Sequence, residues 1–374
     1  MGYAYTPGLK VLAATTVRRE RRLPLPGDVL VSIGDRVLAE QVTMRTELPG
    51  PADMLNVVSV LGITPGEIAR YMRTSVGEAV QRGDTLAESS GFFGLLKTRV
   101  ESPMSGTIET VSPVTGQVTL RGAPVPVEVH AYVDGTVVDT VPHESVTVET
   151  HATFIQGIFG VGGETYGKIA VCVDRPDAPL DPAVLNTSHA GGIVIAGSVV
   201  TVDAIRRARE EGVRAIVAGG CDDADIKALL GYDLGVAITG HEDIGITVVL
   251  TEGFGTIPMA GKTFELLQHC DGMKASVNGA TQIRAGVMRP EIVVPLHTDT
   301  ITAREDTLGL TLDVGARVRA IRDPYFGRLG IVTALPAELT QLPTESRARV
   351  LELRFDDGEE AVVPRANIEV IATD

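Results

Sequence analysis

Tryptophan is missing from this 374-residue chain, and aromatic residues make up only 4% of it. With so few rings, a platform that stacks successive bases is not expected. Cysteine is scarce too. Cys172, Cys221 and Cys270 are far apart, odd in number and without metal-ligand spacing, so the sequence predicts reduced thiols, no metal site and no disulfide framework. Positive charge is in deficit: 33 Lys and Arg stand against 48 Asp and Glu, a net −15 at pH 7. That balance argues against broad attraction to nucleic acid or anionic membrane. No apolar run approaches the roughly 20 residues that span a bilayer. The short apolar run VLAATTV is followed, not preceded, by Arg18, Arg19, Arg21 and Arg22, the wrong order for a secretory signal. The expectation is a cytoplasmic protein with no membrane contact.

What the chain does have is an α/β rhythm from His189 to Cys270. GGIVIAG (191–197), VRAIVAGG (213–220) and GITVVLTEGFG (245–255) are short, continuous and β-branched, as strands buried on both faces should be. Between the first two, Ile205 and Ala208 sit among charged residues on a one-sided helix that Gly212 stops. A short helix follows Asp222 and Asp223, which suit its amino end. A third helix begins near Pro258, with Lys262 about one turn in. Alternating strands and helices imply a small parallel sheet.

In such a sheet, ligands bind beyond the carboxyl ends of the strands. Those ends carry Gly197 and Ser198, then Gly219 and Gly220, then Glu252, Gly253 and Gly255. Glycine lets either a ligand or a neighbouring backbone approach closely, and both readings stay open here. Upstream, FIQGIFGVGGETYG (154–167) reads as a bending β connection or a binding loop, without the Gly-Lys-Ser/Thr of a phosphate loop. His189 and His241 read as loop histidines. Nothing nominates a catalytic nucleophile, and no cofactor is predicted.

Three resemblances supply expectations. The pattern GIVIAG, Ala218-Gly219-Gly220 and GITVVLTEGFGTIPMAGKTFELL resembles the small α/β modules called DRTGG domains. Only Gly219-Gly220 remains of that family's name-giving residues, so the resemblance does not identify a ligand. In the first 150 residues, Pro26-Gly27, Val31 to Val37, Val76 to Leu86 and Ser102-Pro103 with Gly106-Thr107-Ile108 resemble the barrel-sandwich hybrid of biotinyl and lipoyl carriers. The carrier lysine is not matched. Phe93 or Leu95 falls at its position, within the apolar Phe92 to Leu96, and Lys97 lacks the flanking context. Thr64, Pro65 and Glu67 mark a helix start within this part.

From Asp313 on, Gly315, Val318, Phe326-Gly327, Gly330-Ile331-Val332 and Val363-Pro364 with Asn367-Ile368-Glu369 resemble a KOW module, an SH3-like five-stranded barrel that binds RNA, ribosomes, RNA polymerase or other proteins. An insertion, Pro336 to Ser346, interrupts the match. Arg317, Arg319, Arg322 and Arg328, with Tyr325 and Phe326, form its candidate contact edge for nucleic acid or a partner. Eight arginines against eleven acids in residues 313–374 nonetheless make the module a poor sole anchor on RNA.

The resulting expectation is a multidomain α/β and β protein. A β barrel-sandwich-like domain occupies 1–150 and a Gly/Pro-rich connection 151–184. A parallel α/β domain follows at 185–300, and a KOW-like SH3 barrel at 308–374. The first function expected is that of a non-catalytic adaptor or accessory protein acting through a protein partner. The alternatives are a sensor or enzyme that binds a small ligand or nucleotide in the α/β domain, and KOW-mediated binding of RNA, ribosome or RNA polymerase. The oligomeric state is left open.

Overall fold

The computed structural model describes residues 9–90, 97–231, 244–281, 288–296, 312–320, 324–325, 327–336, 338–341 and 347–370. Strands dominate, and the largest sheet runs through most of the molecule. Among the described residues it has eleven strands, nine of which are, in chain order, β1 (Val11–Arg22), β2 (Ser145–Gln156), β3 (Phe159–Val161), β4 (Glu164–Val171), β5 (Ile193–Ile195), β6 (Ala215–Cys221), β7 (Thr247–Phe254), β8 (Lys274–Asn278) and β9 (Glu291–Pro295); Gly135–Val141 on β2 and Arg36–Val37 beyond it complete the sheet. In space they lie in the order β3-β7-β6-β5-β4-β8-β9-β2, with β1 also on β2. β4 to β7 are mutually parallel, while β3, β8, β9, β2 and β1 join antiparallel.

The three strands expected between 191 and 255 are β5, β6 and β7, joined by α-helices. Two short helices, α1 (Val57–Leu61) and α2 (Ile68–Tyr71), precede α3 (Val202–Glu210), α4 (Asp223–Leu230) and α5 (Gly261–His269). In α3 the Thr201 hydroxyl accepts from the Ala204 N–H, and Ala204, Ile205 and Ala208 are buried. Gly212 ends the turn at φ +77°, where a side chain would be strained. Alternate residues of the parallel strands feed two cores. Val194, Ile216 and Val248 pack with α3 on one face, and Ile193, Val217 and Val249 pack with α5 on the other. Burial on both faces is why these runs do not alternate in polarity.

The segment 151–184 contributes β3 and β4 to this sheet, so it is structural where the sequence reads as a connection. β2 runs across residue 150 without a break and pairs with β9 through Ala152↔Pro295 to Gln156↔Glu291. Gly157, Gly160 and Gly167 sit where a Cβ would press on neighbouring atoms at 2.7 Å or less, so the glycine-rich stretch is a closely packed bend.

Three smaller sheets fill the amino-terminal part. One runs Ala52–Asn56, Gln117–Arg121, Gly106–Val111 and Ala79–Val80; another runs Val125–His130, Val42–Leu48 and Asp28–Val29; the third is the hairpin Thr85–Ser90 with Lys97–Glu101. Turns at Gly34 and Gly83 share one device. The Asp that follows each glycine accepts from the backbone N–H three residues back, Ser32 in one and Gln81 in the other, both at 2.8 Å. At Thr64 the expected helix start is present and takes the form of a capping box, with Glu67 accepting from the Thr64 hydroxyl at 2.7 Å.

Among the described residues the carboxyl-terminal sheet has six strands. It includes β10 (Arg317–Ala320), β11 (Leu329–Ala334), β12 (Arg347–Phe355) and β13 (Ile368–Val370), together with Leu339–Gln341 and Glu360–Pro364 on β12. Five strands are expected there, and the sixth, Leu339–Gln341, comes from the insertion. Gly358 closes the Asp356-Asp357-Gly358 hairpin at φ +89°. No helix among the described residues is long and apolar enough to cross a membrane.

Candidate functional site

At the carboxyl ends of the parallel strands, the glycines that invite a ligand meet the chain's own backbone. A Cβ on Gly197 would lie 2.5 Å from the carbonyl oxygens of Arg175 and Ala178. On Gly219 it would lie 2.2 Å from the Ile257 carbonyl, and on Gly220 2.1 Å from that of Gly255. Such distances fall far inside van der Waals contact, so close chain packing accounts for these three glycines. A Cβ on Gly253, at φ +142°, would lie 2.9 Å from the Gly327 carbonyl in the turn before Leu329–Ala334, whereas one on Gly255, at φ +102°, would meet nothing within 4 Å. Ser198 is buried, its N–H donates to Ala178, and its hydroxyl has no partner. Asp222 stands at the N-cap of α4 without a side-chain bond to it, and α5 starts at Gly261, three residues after Pro258.

Glu252, the one charged residue of that group, is turned to the carboxyl-terminal sheet. Its Oε1 accepts from the Ala260 N–H at 3.1 Å, and its Oε2 accepts from Arg319 Nη2 at 2.7 Å. Arg319 Nη1 donates to Glu369 Oε1 at 2.8 Å, and Glu369 Oε2 forms an ion pair with Arg289 at 2.9 Å outside hydrogen-bond geometry. The sequence places Arg319 on an exposed basic edge. Instead it is 1% exposed, the bulkiest of the fully buried side chains, with its Nε unpartnered. The physical reason lies in the strand period: Val318 and Arg319 face opposite sides, and the side opposite the sheet's apolar core is here covered by β7.

The rest of that edge is internally neutralised. Arg317 pairs with Asp356 at 2.8 Å, and Arg328 with Asp357 at 2.6 Å and Glu359 at 2.8 Å. Arg328 also lies over the Phe355 ring, 4.0 Å from its centre, beside Tyr325. Arg322 and Phe326 lie outside the described residues, as do His241 and the apolar tip Phe92 to Leu96.

Cys172 and His189, which nothing in the sequence links, approach to 3.6 Å between Sγ and Nε2. Burial, then the Asp271 carboxylate, pushes the Cys172 thiol up to about 11, so the pair holds no thiolate at neutral pH. Burial likewise pushes Cys221 up to about 12 and raises Cys270. Among the described residues, no group of three His, Cys, Asp or Glu side chains is placed to hold a metal ion.

A cleft of about 490 Å³ lies elsewhere, along β1. The arginines that follow VLAATTV build it. Arg19 grips Glu291 through both carboxylate oxygens, one at 2.7 Å, and Arg21 grips Glu164 at 2.7 and 2.6 Å. In register, Arg19 lies opposite Val148 of β2, while Glu291 lies opposite Gln156, eight residues further on. A straight strand would separate those rows by about 26 Å. The contact therefore requires the sheet to coil back on itself into a half-barrel, with one extra residue in β1 between Leu12 and Thr15 to bend it. Tyr132, at φ +71°, donates its hydroxyl to Glu291 at 3.2 Å, and burial holds its phenol well above the usual range. Alternation of Val17, Arg19 and Arg21 on one face is the sequence signal for this cleft, but the run reads equally as a solvated basic turn.

Compared with models of known protein families and with curated proteins, the sequence matches none.

Proposed function

We propose that the chain is a non-catalytic, multidomain accessory protein of the cytoplasm that works through contacts with a protein partner. In this reading the amino-terminal sheets are a barrel-sandwich-like module without a carrier lysine, the parallel strands a small α/β module, and the carboxyl-terminal sheet a KOW-like barrel used for structure and protein contact.

One contact carries the reading, that of Arg319 with Glu252. Glu252 is the charged member of the candidate ligand site, and Arg319 belongs to the candidate nucleic-acid edge. Each neutralises the other inside the protein, which weakens both alternatives together. The pairing of Arg317 and Arg328 with carboxylates of their own sheet adds to this, since neutralised arginines release few counterions from a phosphate backbone.

Affinity purification of the full chain from native extract, with and without nuclease and followed by mass spectrometry, tests the proposal. Nuclease-resistant recovery of one protein or a small set is the expected result. Recovery only of nuclease-sensitive ribosomal or polymerase subunits would favour the KOW-mediated alternative. A small molecule that co-purifies and is turned over would replace the reading with an enzyme.

A further inference from the structure

The run from Arg18 to Arg22 belongs to a strand with a neighbour on one side only. Among the described residues β1 pairs with β2 and with no other strand, while β2 holds β1 along one side and β9 along part of the other. Hydrogen bonds fix which way each backbone faces. The Gln156 N–H donates to the Lys10 carbonyl, and the His151 carbonyl accepts from Leu296 beyond β9. Even-numbered residues of β2 thus face β1, and odd-numbered ones face β9. Opposite them, Thr15, Val17, Arg19 and Arg21 use their N–H and C=O on β2. Thr16, Arg18 and Glu20 turn theirs to the open side, and all three are exposed.

The cleft lies along that side. It is lined by every residue from Thr15 to Arg21, both parities, as expected of a space that follows a strand's edge and not one of its faces. Across it stand residues of β4, β8 and β9, including Glu164, Asn278 and Glu291. The Arg18 carbonyl, one of the outward groups, is already satisfied by the Arg19 guanidinium at 2.8 Å, a polar contact that a neighbouring strand would otherwise make. An edge with unused donors and acceptors is a template for another strand unless something blunts it.

The cleft's charge names the occupant. Its lining holds five cations (Lys10, Arg18, Arg19, Arg21 and Arg289) against three carboxylates, in a chain whose net charge is −15. The two fork pairs cancel, and Arg289 pairs with Glu369 at 2.9 Å. Arg18 meets Glu149 at 2.6 Å in a solvent-exposed pair, which holds it only weakly, and Lys10, at one end, has no carboxylate partner among the described residues. We infer that β1 is a docking edge to which a partner protein adds an extended acidic peptide as a further strand. Main-chain bonds to Thr16, the Arg18 N–H and Glu20 supply affinity, and Lys10 with the exposed Arg18 supplies preference for acidic side chains. The inference rests on the accessory reading and gives its partner a chemistry.

The probe is a labelled peptide of alternating valine and glutamate, as long as the lined stretch of β1. Its controls are the valine–lysine counterpart and the same acidic peptide methylated on alternate backbone nitrogens. Binding is measured by fluorescence anisotropy on the full chain. The acidic peptide is expected to bind, and both controls to bind at least about tenfold more weakly. Thr16→Pro removes one outward N–H without touching the bonds to β2, a change an edge strand tolerates. It should weaken the acidic peptide about tenfold with an unchanged melting temperature. Arg18→Glu, a side-chain change only, should narrow the preference for acidic over basic peptide.

Equal binding of the methylated peptide would overturn the inference in favour of plain charge attraction. A dimer in sedimentation that Thr16→Pro abolishes would overturn it in favour of a second copy of this chain. If the peptides fail while extract still yields a nuclease-resistant protein partner, the docking edge falls and the accessory reading stands. Peptide binding with only nuclease-sensitive recovery would sink the accessory reading and keep the edge.

Discussion

Arg319 and Glu252 meet at 2.7 Å in the interior, although 67 residues separate them in the chain. Between them they join β7 of the largest sheet to β10 of the carboxyl-terminal one. Glu369 and Arg289 continue the alternation of charge on the far side. Buried ion pairs contribute little net stability, because desolvation offsets attraction, but they are costly to break from one side.

Arg319→Ala should therefore destabilise the protein by about 3–5 kcal/mol, since it leaves Glu252 and Glu369 buried without their cation. Urea unfolding followed by circular dichroism checks this. A loss below about 1 kcal/mol would mean that water reaches the pair and that the joint is open in solution.

Two glycine substitutions should separate packing from freedom. Gly219→Ala puts a Cβ 2.2 Å from the Ile257 carbonyl and 2.7 Å from the Met259 nitrogen, a backbone clash expected to cost about 1–3 kcal/mol. Gly163→Ala, with nothing within 4 Å of the new carbon, should stay within about 0.5 kcal/mol of the parent. Thermal melts of both proteins make the comparison. Equal effects would argue against the crowded strand ends described above.

Glu88 gives a pH prediction. Lys97, then Arg99, holds its carboxyl down from 4.5 to about 2 through hydrogen bonds at 3.0 and 2.8 Å. A depressed carboxylate stabilises the fold fully above its unfolded value, near 4.5, and loses that contribution as pH falls toward 2. Carboxyl carbon shifts in an NMR titration should show a midpoint near 2. Lys97→Ala should raise that midpoint, and high salt should raise it by screening.

The thiols should be slow. With Cys172 pushed up to about 11 and Cys221 to about 12, alkylation by iodoacetamide at pH 7.5 should lag far behind that of a free peptide thiol. Cys172, partly exposed, should react first, and buried Cys221 and Cys270 only on unfolding. Mass spectrometry over a time course reads the order. Rapid labelling of Cys172 would mean that His189 draws its proton after all.

Much of the architecture was legible because it is local. Continuous β-branched runs give β5, β6 and β7, Gly212 stops α3, and the Gly34-Asp35 and Gly83-Asp84 pairs mark their turns. What stayed hidden depends on long-range pairing. β4 looks like part of a connection because its strand partners, β5 and β8, begin 29 and 110 residues after it. Glycine at Gly197, Gly219 and Gly220 signals close approach but not what approaches, and here it is backbone. Arg319 looks exposed because a charged residue usually is, and only the sheet packed against it explains its burial. Arg19 and Arg21 are arginines on one face of a strand, and no local pattern says that Glu291 and Glu164 wait opposite.

The sharing of β2 by two regions of the chain has a consequence during synthesis. Its amino-terminal half can pair as soon as it emerges, because β1 and Gly135–Val141 precede it. The side of its carboxyl-terminal half that receives β9 must wait for about 135 further residues, from Gln156 to Glu291, which is ~7–27 s at ordinary translation speeds. For that interval the nascent chain carries an unsealed strand edge of apolar Phe154 and Ile155. The rate at which ribosomes cross residues 156–291, more than the final stability of the fold, should then set how much of the protein reaches its native form.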